Sequence, residues 1–151
     1  MVVQLWIDLH VLDIYLKRYK SNKLMYSNFY EKELYEKRFQ PLQILQIGIE
    51  NSIAVWHKYM QRSNIFCIDT FDKTEPRQHP YLKEKRIHWI RCDIDNEKAV
   101  KKIMKESWNN PKFDIIIDSS NNFGYSRYDL FRRFCVGKYY IEDGEDVKVM
   151  K

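Results

Sequence analysis

Each of five apolar segments in this chain runs into a glycine or an acid. Leu42–Ile49 is stopped by Gly48, Ile65–Ile68 by Asp69, Ile87–Cys92 by Asp93, Phe113–Ile117 by Asp118, and Lys138–Ile141 by Glu142-Asp143. These residue types at strand ends can do specific chemistry. A glycine lets the backbone approach a ligand, and a helix opening just after it, at Ser52, offers N–H groups. Asp69 follows Gly48 by about 20 residues, the offset at which nucleotide-binding folds use a carboxylate to accept from ribose hydroxyls. Asp93 is placed to accept from an adenine amino group. Asp118, Glu142 and Asp143 would converge if the fourth and fifth strands are neighbours, and a hard divalent cation, magnesium or calcium, would relieve their repulsion. The plainer alternatives stay open: single acids cap the segment that follows them, and Glu142–Asp146 can be a solvated acidic tail.

Other chemistries are poorly represented. No serine–histidine or cysteine–histidine nucleophile spacing and no zinc-ligand spacing is present. His57 and His88 fall inside a helix and a strand as packing or surface residues. Tyr139-Tyr140 suits a strand better than a base-stacking platform.

The elements that must position these groups alternate along the chain. Leu5, Leu9, Leu12 and Leu16 recur at helical spacing, and a second polar helix or turn over 28–39 ends before Pro41. After the first strand, a helix over 52–60 carries Ile53, Trp56 and Met60 on one face, with Ser52 as its expected N-cap. Residues 70–84 form a loop or an irregular helix. Asn96 caps a helix that turns Ala99, Val100, Ile103 and Met104 inward and stops at Asn109-Asn110-Pro111. The last helix covers 125–134, with Gly137 as its breaker. Strands alternating with helices imply right-handed crossovers and a parallel sheet covered on both faces, a Rossmann-like α/β fold whose ligands bind beyond the carboxyl ends of the strands.

The 151 residues make one domain, with a helical lead-in over 1–40 and an α/β core over 41–146; 44% of the residues are hydrophobic and 15% aromatic, which excludes a disordered chain. No apolar run approaches the roughly 20 residues of a membrane span, and the opening segment lacks a signal-peptide cleavage pattern. The net charge of +5 comes from 26 basic residues scattered among 21 acidic ones, which argues against a nucleic-acid surface. Cys67, Cys92 and Cys135 are an odd number without paired spacing, so a reduced, cytoplasmic setting is expected. Abundant Lys, Asn, Ile and Tyr suit an AT-rich coding genome such as that of a phage or large virus.

Taken in order, residues 22–146 resemble the sugar O-methyltransferases of the macrolide-tailoring type, within the class I S-adenosylmethionine-dependent methyltransferases. Asn22-Lys23, Phe29-Tyr30 and Tyr35-Glu36 are similar to that family's Asp-Lys, His-Tyr and Tyr-Glu lead-in. Ile44–Gly48 with Ser52 and Trp56 resembles Val-Leu-Glu-Ile-Gly followed by Gly-Gly-Ser and Met-Trp. Phe66–Asp69 resembles Tyr-Gly-Ile-Asp, and Asp93 falls on the first acid of Gly-Asp-Gln-Ser-Asp. Phe113–Asp118 and Tyr139–Asp143 resemble Phe-Asp-Ile-Val-Ile-Asp and Tyr-Val-Ile-Glu-Asp. The resemblance implies strand order 3-2-1-4-5 and a site for S-adenosylmethionine lined by Gly48, Ser52, Asp69 and Asp93. It also implies a divalent metal on Glu142 and Asp143, for which the neighbouring strand end offers Asp118 as a substitute ligand, and a sugar or glycan acceptor whose hydroxyl attacks the methyl group.

The departures from that pattern are specific. Glu50-Asn51 replaces a glycine pair, and Glu50 would oppose the cofactor carboxylate. Asp118-Ser-Ser-Asn-Asn122 stands for Asp-Asp-Gly-Ser-His, so a carboxylate is lost at Ser119 and a histidine base at Asn122. Loss of such a base costs roughly 10²–10⁴ in rate. A catalytically inactive binding or assembly module is therefore the alternative to a working enzyme. The full fold also adds strands beyond the fifth, so Lys138–Ile141 is expected to be an exposed edge through which the chain forms a homodimer or docks to a partner.

Overall fold

The computed structural model describes residues 2–120 and 124–150, with side chains from residue 10 onward. Leu5 and Leu9, half of the leucine pattern that predicts the first helix, thus lie outside the described side chains. Short β-branched and aromatic runs form the strands, as pleated, two-sided burial favours. They are β1 (Gln43–Ile47), β2 (Asn64–Asp69), β3 (Ile87–Arg91), β4 (Phe113–Asp118), β5 (Cys135–Asp143) and β6 (Asp146–Met150). The helices are α1 (Val2–Arg18), α2 (Ser27–Leu34), α3 (Ser52–Tyr59), α4 (Glu97–Glu106) and α5 (Tyr125–Phe131).

The strands join in one sheet, ordered β3-β2-β1-β4-β5-β6. The pairings from β3 to β5 are parallel, and β6 returns antiparallel along β5. The expected Rossmann-like α/β order 3-2-1-4-5 is thus present, with one strand added. Because strand side chains alternate between faces, Ile44 and Leu45 of β1 enter different cores. On one face Ile44, Ile65, Ile115 and Tyr140 meet Leu12, Leu16, Tyr30 and Trp56 from α1, α2 and α3. On the other, Leu45, Ile68, Ile116 and Ile141 meet Val100, Met104, Leu130 and Phe131 from α4 and α5. Full burial of each such side chain stabilises by about 1.5–3 kcal/mol. Among the described residues no helix is long and apolar enough to cross a membrane.

Three local expectations are corrected. Gly137 does not break a helix but lies within β5, which starts at Cys135. There the register slips, Phe113 facing Cys135 while Ile115 faces Lys138. A Cβ on Gly137 would lie 2.1 Å from the carbonyl oxygen of Asp114, so the backbones meet too closely for any side chain. Ser52 is not the N-cap of α3. Asn51 precedes the helix in helical conformation without a side-chain cap, and Ser52 is its first residue. Lastly, strand five is not an exposed edge. Gly144, at φ +64°, opens a two-residue turn where glycine is favoured, and β6 pairs with Tyr139–Asp143. Tyr139, Tyr140 and Ile141 are buried accordingly. The N-cap expected at Asn96 is present, its Oδ1 accepting from the Ala99 N–H at 3.1 Å.

Candidate functional site

All five strand-end positions reach the carboxyl edge of the parallel sheet, where they divide into two groups. The first surrounds the β1–α3 turn. Gly48 adopts φ +98°, and a Cβ there would come within 3.3 Å of the Ser120 nitrogen, so both conformation and space call for glycine. Gln46, fully buried beneath the turn, donates to the Gly48 carbonyl at 2.9 Å and accepts from the Ser52 hydroxyl and the Trp56 indole at 3.0 and 2.7 Å. Asp69 is drawn to this turn by the Ile49 N–H, which donates to Oδ2 at 2.7 Å, while the Phe71 N–H donates to Oδ1 at 2.7 Å. A carboxylate has about four acceptor sites, so Asp69 keeps capacity for a ligand hydroxyl beside the glycine. Asp93 is exposed at the end of β3 and accepts from the Asp95 N–H at 3.0 Å.

Glu50 is engaged within the fold. Its oxygens accept from the Ser21 hydroxyl at 2.8 Å and from the Asn22 and Ser52 N–H groups at 2.6 Å each. It therefore satisfies the start of α3 internally and ties the segment after α1 to the turn. That segment delivers the next residue, Lys23, into the second group.

The second group holds the three acids that were expected to converge, and the structure separates them. Asp118 is buried; its Oδ1 accepts from the Ser120 N–H at 3.0 Å and the Ser120 hydroxyl at 2.5 Å. Its Oδ2 lies 3.6 Å from the guanidinium of Arg127. Burial raises the Asp118 carboxyl above its ordinary value against the opposing pull of Ser120 and Arg127. Arg127, itself buried, also donates to Asp95 at 2.8 Å and bonds the Ser120 hydroxyl, so α5 is locked onto the ends of β3 and β4. Asp143 is half exposed and pairs with Lys148 at 2.9 Å. Glu142 is part-buried, its side chain 8% exposed, and doubly occupied: Lys23 Nζ donates to Oε1 at 2.5 Å and the Tyr30 hydroxyl to Oε2 at 2.6 Å. Lys23 Nζ also donates to Ser119 Oγ at 2.6 Å. Burial, then the Glu142 charge, pushes the Tyr30 phenol well up from its ordinary value.

These residues do not fit the divalent site expected on Glu142, Asp143 and Asp118. Among the described residues no three His, Cys, Asp or Glu side chains gather in a metal-sized group. The physical reason is that each acid has a cationic partner of its own: Arg127, Lys148 or Lys23. Asn122, the residue expected at the place of a base, lies outside the described residues. Above Glu142 is a polar cavity of about 250 Å³, with Asn22, Met25 and Tyr26 on one wall and Ser119, Glu142 and Asp143 on the other. Its volume falls just below the roughly 300–1,000 Å³ of pockets for drug-sized ligands.

Lys23, Tyr30, Gln46 and Arg127 were not expected as site residues. Lys23 and Tyr30 were legible as part of a motif, without a role. Nothing in the sequence marks Arg127, which is one of 26 scattered cations.

No protein-family model and no curated protein matches this chain. Solved structures do. MycE methyltransferase from the mycinamycin biosynthetic pathway, in complex with Mg and S-adenosylhomocysteine, superposes with a TM-score of 0.68 at 25% identity, over 88% of this chain and 34% of that one. The same enzyme holding mycinamycin VI gives 0.66 at 26% identity, over 88% and 34%. A Plasmodium falciparum protein described as a ribosomal RNA methyltransferase gives 0.53 at 17% identity, over 78% and 74%, a likeness of fold alone. This chain thus spans about a third of the length of MycE, and it has the fold of the class I S-adenosylmethionine-dependent methyltransferases.

Proposed function

We propose that this chain binds S-adenosylmethionine at the ends of β1, β2 and β3 and methylates a hydroxyl of a sugar or glycan seated in the cavity above Glu142. The observation that carries this reading is the joining of Gly48 and Asp69 through the Ile49 N–H at 2.7 Å, which puts a carboxylate acceptor beside a turn that only glycine fits. Asp69 would accept from the ribose hydroxyls and Asp93 from the adenine amino group, while Ser52 holds the turn through Gln46. The bound cofactor would supply an electrophilic sulfonium methyl: the hydroxyl oxygen would form the C–O bond as the C–S bond breaks to leave S-adenosylhomocysteine, and the hydroxyl proton would pass to solvent by way of the half-exposed Asp143 carboxylate. Glu142 and Asp143, on the cavity wall, orient the acceptor oxygen by accepting hydrogen bonds from the sugar hydroxyls, the positional part of such catalysis. Asp118 contributes indirectly, by holding Arg127.

A second reading has its own observation. Lys23 and Arg127 neutralise Glu142 and Asp118 inside the fold, as a module that binds without catalysis would allow. Calorimetric titration with S-adenosylmethionine and S-adenosylhomocysteine, followed by transfer of labelled methyl to a panel of free and glycan-linked sugars, separates the two. Binding with transfer supports the enzyme, and binding without transfer supports the module. No heat at millimolar cofactor would overturn the enzyme and leave a module that assembles without the cofactor.

A further inference from the structure

We infer that Lys23 is the resident cation of this site: its ammonium takes the place that the strand-end acids would otherwise offer to a divalent metal, and it positions Glu142 at the wall of the acceptor cavity. The catalytic sense of this inference rests on the proposed methyl transfer; the cation exchange does not.

Lys23 is the sort of residue that burial should exclude. Its side chain is 1% exposed, and a buried ammonium is costly unless it is paired and hydrogen-bonded. Both conditions are met by residues far away in sequence. Glu142 supplies the opposite charge and Ser119 a neutral oxygen, at 2.5 and 2.6 Å. The Lys23 backbone N–H is anchored on Ser21 Oγ at 3.1 Å, and Ser21 in turn is bonded to Glu50. Lys23 is therefore fixed at both ends, and Tyr30 fixes the second oxygen of Glu142.

Magnesium asks for oxygen ligands at about 2.0–2.1 Å in an octahedral array and usually takes one or two carboxylates. Beside Glu142 and Ser119 that volume is filled by the Lys23 ammonium. A divalent ion entering there would meet Glu142 already paired with the Lys23 ammonium, Asp143 paired with Lys148, and the neutral hydroxyl of Ser119. Lysine thus does for Glu142 what a metal would do for a set of three acids, holding its charge and direction, but without an open coordination position. MycE was solved with Mg; here the Ser119 hydroxyl stands where a further acid would be and accepts from the Lys23 ammonium.

The experiment is binding of Mn²⁺, followed by electron paramagnetic resonance and calorimetry, to the full chain with and without S-adenosylhomocysteine. Wild type should show no saturable Mn²⁺ binding below millimolar concentration, and chelator should change neither its thermal midpoint nor its cofactor binding. Ser119→Asp alone should stay silent, because Lys23 remains. Lys23→Ala/Ser119→Asp should bind Mn²⁺ at least tenfold more tightly than wild type. Sub-millimolar wild-type binding that disappears in Glu142→Gln would overturn the inference, as would a folded double variant that binds no better than wild type. Should the double variant not fold, the wild-type titration decides by itself. Cofactor heats in the same series report on the methyltransferase reading separately.

Discussion

Lys23 and Glu142, 119 residues apart in sequence, meet at 2.5 Å with their side chains 1% and 8% exposed. Removing one partner of such a pair strands a buried charge, which costs about 3–5 kcal/mol, whereas replacing both by neutral groups of similar shape is much less damaging. Lys23→Met should therefore lower the urea-unfolding free energy by that amount. Lys23→Met/Glu142→Gln should regain at least half of it. A single variant that costs less than about 1 kcal/mol, the range of exposed pairs, would show that this pair is solvated.

Asp69 has two separable tasks, and one substitution should expose both. Its oxygens accept from the Ile49 and Phe71 N–H groups, and Phe71 stands at φ +57°, so the carboxylate holds a strained turn. Asp69→Asn keeps one oxygen acceptor and the volume but loses the charge. We expect a modest fall in thermal midpoint together with a loss of about 1.5–3 kcal/mol in affinity for S-adenosylhomocysteine, the worth of a charge-assisted hydrogen bond. Unchanged cofactor affinity in a folded Asp69→Asn would confine this residue to the turn.

Two glycines of the last hairpin should respond very differently to alanine. At Gly144 the left-handed backbone is strained by a side chain, but nothing lies within 4 Å, so the cost should be about 1–2 kcal/mol. At Gly137 the new Cβ would overlap the Asp114 carbonyl, and β4 and β5 would have to part. Gly137→Ala should cost about 3 kcal/mol or more, beyond ordinary overpacking. Equal denaturation midpoints for the two variants would remove the close approach from the account of the fold.

The histidines set a pH dependence with a definite sign. Burial lowers His79 below its ordinary value of 6.5, and His57 is lowered mainly by burial and secondarily by Arg86. His79 must also be neutral at Nδ1 to accept from the Tyr81 N–H at 3.3 Å. Below about pH 6.5 the unfolded chain therefore binds protons that the folded chain refuses, and stability falls as pH falls through that window. The buried Asp118, raised in the folded state, acts in the opposite direction, so the useful quantity is a difference between variants. The stability gap between wild type and His79→Gln should narrow as pH is lowered from 7.5 to 5.5, followed by chemical denaturation. A constant gap would mean that His79 titrates freely.

Much of this arrangement was readable from residues, and the exceptions share a cause. The strand ends at Gly48, Asp69, Asp93, Asp118 and Glu142 follow from apolar runs of strand length bounded by glycine or acid, a local signal. Asn96 as a cap is equally local. What a single carboxylate faces is not local. The partners of Glu142 come from the segment after α1 and from α2, and that of Asp118 from α5. A sequence shows three acids on neighbouring strand ends and suggests a shared cation, but it cannot show that each has been given its own. Gly137 misleads for a related reason: glycine marks both a helix stop and a close backbone approach, and the pairing of Ile115 with Lys138 decides between them.

The added strand carries the last prediction. Without β6, the outer edge of β5 at Tyr139–Asp143 would present unpaired N–H and C=O groups, a template for pairing with another chain. With β6, Tyr140 pairs with Val149 and Ile141 with Lys148, while Val147 and Met150 close over the two cores. The new edge is better guarded, since β6 is short and largely exposed and brings Lys148 to its face. Deleting residues 146–151 should therefore convert a covered edge into an adhesive one. The truncated chain should lose stability and its weight-average mass should rise with concentration in sedimentation at micromolar levels, relative to the intact chain. Restoring only the charge, by adding lysines after Glu145, should reduce the association without restoring stability. A truncated chain that sediments and unfolds like the intact one would mean that β6 neither covers the edge nor holds the cores.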